Sequence, residues 1–393
     1  MLRFLFFQKC GMCLTQRRGY SGFESINKLE ESEMKIKLSV FVFFAFMLIA
    51  CGADDDEETT PIINDNENNE EVYDDGLPDT IIDDEPEVQD EDAGKTSEHA
   101  CSSDAALLYE GESQFKLCPG DNGKFQKQIC TKGEWIDEGD CVDGNVTVPA
   151  GSFKMGCDKD YEGSCPEDTV PVHSVNLSSY VMDKFEVSVE LYELCIAENV
   201  CNNSDSEKPH YRSSTDSYKC NIGNPNRKNH PANCVTWYGA KTYCEWLGKR
   251  LPTEAEWENA AKSGKYQIYP WGNTPEASCD NTVMKSEASG CGSNSTFPIG
   301  SKASGTSALG IFDLSGNVSE YTEDWYEKKF YSTDEASKDD TQGPAEPEKD
   351  KYKVVRGGSY IYGESHTRAS FRSSAALNDP AIDFGFRCVS SPK

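Results

Sequence analysis

The sequence predicts an α+β domain that is poor in helices, rich in irregular structure and stapled by disulfides. A small four-cysteine module and an acidic tether stand ahead of it. Three observations carry this prediction. Only two or three helical hydrophobic patterns emerge from roughly the last 250 residues. Seventeen cysteines stand in 393 residues, and ten of them fall in that same region. The formal net charge of −30 is gathered mainly into one stretch.

In chain order, residues 1–33 carry their own Met1 but make a poor signal, so Met34 is the expected start. "MKIKLSVFVFFAFMLIAC" then offers Lys35 and Lys37, an apolar run over 38–50, and Cys51. The run is too short for a comfortable membrane span and suits a signal peptide over 34–51. Its end, "LIAC", resembles a bacterial lipobox, which implies lipidation of Cys51 and a chain exported and lipid-anchored in the cell envelope. Gly52 after Cys51 points to the outer membrane. Residues 52–99 are the tether: about twenty acids stand between positions 54 and 98 against a single Lys95. Such a composition buries too little apolar surface to offset its ordering entropy, and disorder is expected. No basic face is visible, which excludes nucleic acid as a partner.

Cysteine arithmetic sets the redox class. Cys10 and Cys13 leave with the leader and Cys51 takes the lipid, so an even fourteen remain. An even count in an exported chain argues for disulfides rather than thiol catalysis or zinc. No CxxC pair follows Cys51, and none of the five histidines has metal-ligand spacing with another. Four of the fourteen lie in the module at 100–143, with turn glycines and Trp135. Its end, "CTKGEWIDEGDC", faintly resembles a sushi-type module. Three connectivities are open there, and a spacer role is expected.

The domain at 146–391 contains the helical patterns. In "EVSVELYELCIAENV", Val187, Leu191, Leu194 and Cys195 give a rough face. In "TWYGAKTYCEWLGKR", Ala240, Tyr243, Cys244 and Leu247 form one stripe, with Thr236 as N-cap and Gly248 at the end. "TEAEWENAAKSG" opens on Thr253 and Glu256, a capping box; Trp257 and Ala261 share a face and Gly264 stops the helix.

Six ordered stretches then carry a family resemblance: "VPAGSFKMG", "HPANCVTWYGAKTYCEWLGKRLPTEAEWENAAKSG", "YPWGN", "GIFDLSGNVSEYTEDWY", "VVRGGSY" and "FGFRC". Across residues 148–388 the chain resembles the formylglycine-generating enzyme, or sulfatase-modifying factor, domain. The resemblance implies a C-type-lectin-like variant fold. The family's oxidases hold copper(I) on two cysteines between the RGGS and GFRC segments and convert a sulfatase cysteine to formylglycine. Here the matching places fall near Tyr362 and near His366 or Thr367. A phenol, an imidazole and a hydroxyl do not reproduce a soft dithiolate, so copper is not expected. A second bridge of some members is absent too, its places being Ala261 and Ser373. The resemblance does imply a bridge between Cys244 and Cys388. Local pairing is expected for the other eight: Cys157 with Cys165, Cys195 with Cys201, Cys220 with Cys234, and Cys279 with Cys291.

The same resemblance implies a structural calcium ion on "DLSGNVSE", through Asp313, the carbonyls of Gly316 and Val318, and Glu320. A second family site would draw on Asp280 and Asn281, but its other half is not recognisable. Arg356, Gly357, Gly358 and Ser359 suit a tight core turn rather than a phosphate loop. Trp237, Trp246, Trp257, Trp271 and Trp325 are expected mostly in the core. Ser359, His366 and Glu364 have hydrolase residue types without a nucleophile elbow. The expectation is therefore a pseudoenzyme: a non-catalytic module whose groove, lined by Tyr362, Glu364, His366, Arg368 and Arg372, takes a peptide, a glycan or an envelope protein. The alternative is a sulfatase-maturing oxidase with unorthodox metal ligands.

Overall fold

Loops pinned by cysteines leave room only for short regular elements. The computed structural model describes residues 101–392 apart from 104–105, 109–111, 204–209, 216 and 348–350. The signal segment, Cys51 and the tether lie outside the described residues. Among the described residues there are four helices and fourteen strands, and no helix is long and apolar enough to cross a membrane.

The module supplies β1 (Cys101–Ser103), β2 (Ala106–Leu108), β3 (Ser113–Cys118), β4 (Asp121–Thr131) and β5 (Glu134–Asp143). β1 pairs with β2, and the others form an antiparallel sheet ordered β3-β4-β5. Its bridges interleave, Cys101 with Cys130 and Cys118 with Cys141, a choice that loop length alone could not make. The sheet lays Phe115 and Phe125 onto Phe185, Ile299 and Phe312 of the following domain, with ring centroids 4.7–5.2 Å apart. A spacer would keep its apolar residues to itself. This module spends them on its neighbour, and the two form one packed body.

β6 (Asn145–Val148), β7 (Gly151–Met155), β8 (His173–Leu177) and β9 (Tyr180–Asp183) open the main domain. β7 and β8 pair with each other, and β8 alternates buried and exposed positions as a half-buried strand should. A single helical turn, α1 (Lys159–Glu162), precedes β8. Then come α2 (Val189–Ala197), α3 (Trp237–Trp246) and α4 (Glu254–Lys262). Thr236 accepts the Gly239 amide, and the Thr253–Glu256 capping box is present with both reciprocal bonds. Two faces differ from the sequence pattern. α2 buries Val189, Tyr192 and Cys195, because the helix begins only after Val187. Leu247 is 45 % exposed, since α3 has ended at Trp246 and Leu247 is its cap.

The last sheet contains β10 (Ser319–Trp325), β11 (Tyr352–Arg356), β12 (Arg372–Ala376) and β13 (Phe384–Gly385), ordered β12-β11-β10-β13. β14 (Val389–Ser390) returns to β9, giving the order β14-β9-β6. One core cluster gathers β7, β8 and α4 around Trp257, which is fully buried; another gathers α2 and α3 around Tyr192, Tyr243 and Phe386. Cys244 and Cys388 are bonded, tying α3 to the end of the chain. The four local pairs are bonded as well.

Candidate functional site

The groove is built on the tight turn after β11. Gly357 and Gly358 take left-handed φ values of 91° and 66°. A Cβ on Gly358 would lie 2.5 Å from the carbonyl oxygen of His366, so this glycine lets the next loop close down on the turn. Arg356 anchors the turn from below: its Nη1 donates to Glu254 Oε1 (3.0 Å) and its Nη2 to Glu258 Oε2 (2.6 Å), all buried.

On that base the loop stacks rings. The Tyr362 and His366 planes lie 4.7 Å apart at 9°, and Phe371 follows with its ring centroid 4.5 Å from that of His366. These rings, with Ser319, Ser373 and Phe384, line a cavity of about 80 Å³. Burial draws the His366 imidazole below its ordinary value, which keeps it neutral near pH 7. The stretch near which the family's cysteine positions are expected thus carries a stacked phenol and imidazole, and Thr367 is wholly buried. Among the described residues, no cysteine or methionine lines the cavity. A phenol, one imidazole and a hydroxyl do not reproduce the soft dithiolate that selects copper(I).

Three expected groove residues turn elsewhere. Arg372 is in the core: its Nε and Nη2 donate to Glu254 (2.6 and 2.9 Å) and its Nη1 to the Asp168 carbonyl (2.7 Å). A guanidinium with three such partners has no reason to face water. Arg368 donates to the Glu162 carbonyl (2.9 Å), and Glu364 accepts from the Tyr269 hydroxyl (2.6 Å). Ser359 is buried and donates to Asp383 (2.9 Å), so Ser359, His366 and Glu364 are not assembled into a catalytic set. Ser319, Phe371 and Ser373 were missed, because nothing in their local pattern marks them. Of the tryptophans, Trp237 and Trp257 are buried, while Trp271 stacks on Tyr269 at 4.9 Å.

The expected calcium residues lie in a buried acidic pocket. Glu320 accepts from Arg387 Nε and Nη2 (both 2.7 Å) and from Trp257 Nε1 (2.8 Å). That bidentate pair makes Glu320 a partner of Arg387 as well as a candidate metal residue. Asp313 accepts the Gly300 amide (2.6 Å), and Glu186, missed in the sequence, accepts from Asn317 Nδ2 and the Val318 amide. Burial pushes Asp313 up to about 6, and burial followed by the Asp313 and Glu320 charges pushes Glu186 well up. Three buried carboxyl groups thus gather around one guanidinium, and two of them are pushed towards the neutral form. Among the described residues no three His, Cys, Asp or Glu side chains converge as metal ligands. A divalent cation here would draw on Asp313, Glu320 and the Gly316 and Val318 carbonyls.

Comparison with known proteins adds the following. A family profile described as "Sulfatase-modifying factor enzyme 1-like domain" matches residues 136–392. The serine/threonine-protein kinase Pkn1 of Chlamydia trachomatis serovar L2 is 33 % identical over 260 residues, covering 63 % of this chain. The chain spans only 38 % of that relative's length. The formylglycine-generating enzyme of Thermomonospora curvata is 31 % identical over 291 residues, covering 63 % of this chain and 94 % of that one. The solved structure of PvdO from Pseudomonas aeruginosa is similar at 26 % identity and a TM-score of 0.49, over 63 % of this chain and 94 % of that one.

Proposed function

The chain belongs to the sulfatase-modifying factor enzyme 1-like domain family, and on that premise we propose that this member binds in its groove without oxidising what it binds. One observation supports the reading above the others. All fourteen cysteines from Cys101 to Cys388 are paired in seven disulfides, leaving no thiolate pair for copper. In the groove the reactive places hold Tyr362, which is 39 % exposed, and the His366 ring behind it. An aromatic shelf beside two serines suits a peptide or a glycan, which presents both apolar faces and hydroxyl or amide groups. The wider reading is an envelope lipoprotein, lipidated at Cys51, with the acidic stretch at 52–99 holding the packed body off an outer membrane.

The test incubates the full chain, folded oxidatively, with copper(I), oxygen and a peptide containing Cys-x-Pro-x-Arg, and follows the peptide's mass. An unchanged mass beside a converting control enzyme is the expected result. Conversion of the cysteine to an aldehyde would sink the binding reading and restore the oxidase. The same peptide labelled with a fluorophore reports binding, and Tyr362→Ala is expected to weaken any such binding about tenfold.

We also propose that calcium occupies the acidic pocket as a structural ion. Calcium is expected to raise the melting temperature and EDTA to lower it. Asp313→Asn separates ion from protein: without calcium it removes a buried charge from a left-handed residue (φ 58°) that asparagine tolerates, and stability rises. With calcium the same variant loses the ion's stabilisation. A melting temperature indifferent to calcium in both proteins would remove the ion from the account.

A further inference from the structure

The module has a second surface, outside the groove, and the inference drawn from it does not rest on the reading above. β5 is an edge of the sheet β3-β4-β5. The opposite edge is covered, since the Phe115 amide donates to the Ile299 carbonyl (3.4 Å). The outer edge of β5 takes no backbone hydrogen bond among the described residues. Nine of its ten residues are exposed. The tenth, Trp135, packs against Val283, Phe297 and Tyr360 and fixes the strand to the domain. This edge is therefore rigidly held and open.

Its chemistry is one-sided. Glu134, Asp137, Glu138, Asp140 and Asp143 lie on β5, and no lysine or arginine does. Side chains alternate along a strand, so Glu134, Ile136 and Glu138 share one face, with Ile136 49 % exposed between two carboxylates. Asp137 and Glu138 meet Lys116 (2.8 Å) and Lys127 (2.7 Å) across the sheet, while Glu134, Asp140 and Asp143 face solvent. Beyond Glu138 the pairing with β4 slips, and Gln126 Nε2 donates to the Glu138 and Gly139 carbonyls (both 3.0 Å). That bulge limits the regular edge to residues 134–138.

An acidic edge with a bulge resists pairing with a second copy of itself, because like charges would lie opposite one another. The same repulsion excludes the chain's own acidic stretch. What remains favourable is a strand of opposite charge. We propose that residues 134–138 of β5 receive a short extended segment of a partner protein as an added strand. Its basic side chains lie opposite Glu134 and Glu138, and an apolar residue lies on Ile136. Main-chain bonds would give the affinity and the acid–apolar–acid face the choice of sequence.

The probe is a labelled peptide of sequence Thr-Lys-Thr-Val-Thr-Lys-Thr, titrated with the full chain at low salt and followed by fluorescence anisotropy. The double variant Glu134→Lys, Glu138→Lys changes two exposed side chains and is expected to fold. It should bind about tenfold more weakly, from the loss of two cross-strand ion pairs and the gain of repulsion. A second peptide, methylated on alternate amides, keeps the charge and loses the strand edge; it should not bind. No binding of the first peptide overturns the proposal. So does equal binding to the variant, or equal binding of the methylated peptide, since attraction of charge alone needs no strand.

Discussion

Arg387→Met is expected to cost about 3–5 kcal/mol of unfolding free energy, measured by urea denaturation against the parent. The size follows from what the guanidinium holds. Arg387 is fully buried, and besides its two bonds to Glu320 it donates to the carbonyls of Asp183 (3.0 Å) and Phe312 (2.7 Å). Removing it leaves Glu320 buried beside Glu186 and Asp313 without its two guanidinium bonds. A domain's whole stability is about 5–15 kcal/mol, so the single variant should be marginal or unfolded. Glu320→Gln added to it neutralises the stranded acid and keeps an acceptor for the Trp257 indole. The double variant should therefore be more stable than the single one. A double variant no better than the single would mean that Arg387 acts through packing and its carbonyl bonds, not through charge.

Cys244→Ser with Cys388→Ser is the second large effect. The bridge joins residues 144 apart, and in the chain-entropy account a loop of that length restricts the unfolded chain by about 5 kcal/mol. Cys195 and Cys201 stand only six residues apart, so by the same account their loss should cost less. Urea midpoints of the two double-serine variants test the ordering directly. If the short-loop variant suffered as much, native-state packing around the sulfurs would be the source, not loop closure.

Local signals in the sequence were the ones most easily read. The Thr253–Glu256 box needs only four residues to declare itself, and the structure contains it. The short-range cysteine pairs were legible for a similar reason: each partner lies close in sequence. The module's bridges were not, because Cys101–Cys130 and Cys118–Cys141 overlap and each loop admits the other. Nor could the sequence say that Phe115 and Phe125 face another domain, since an apolar strand face looks the same whatever covers it. In the groove, Tyr362 and His366 were found because the family's motifs bracket them. Arg372 was placed wrongly because an arginine with no local partner reads as exposed, and its partner Glu254 stands 118 residues away. Glu186 was invisible for the same reason: its neighbours Asn317 and Val318 come from the far side of the chain.

The sheet order β14-β9-β6 places the first and last strands of the main domain on either side of β9. The Cys388 amide reinforces this by donating to Asp183, the last residue of the central strand β9 (3.0 Å). A chain made from its amino end therefore cannot finish this sheet, or oxidise Cys244 to its partner, until residues 388–390 are free. Completion of this sheet is therefore a long-range step that waits for its last strand. A nonsense change at codon 388 would remove Cys388 and β14 together and leave this sheet with no way to close.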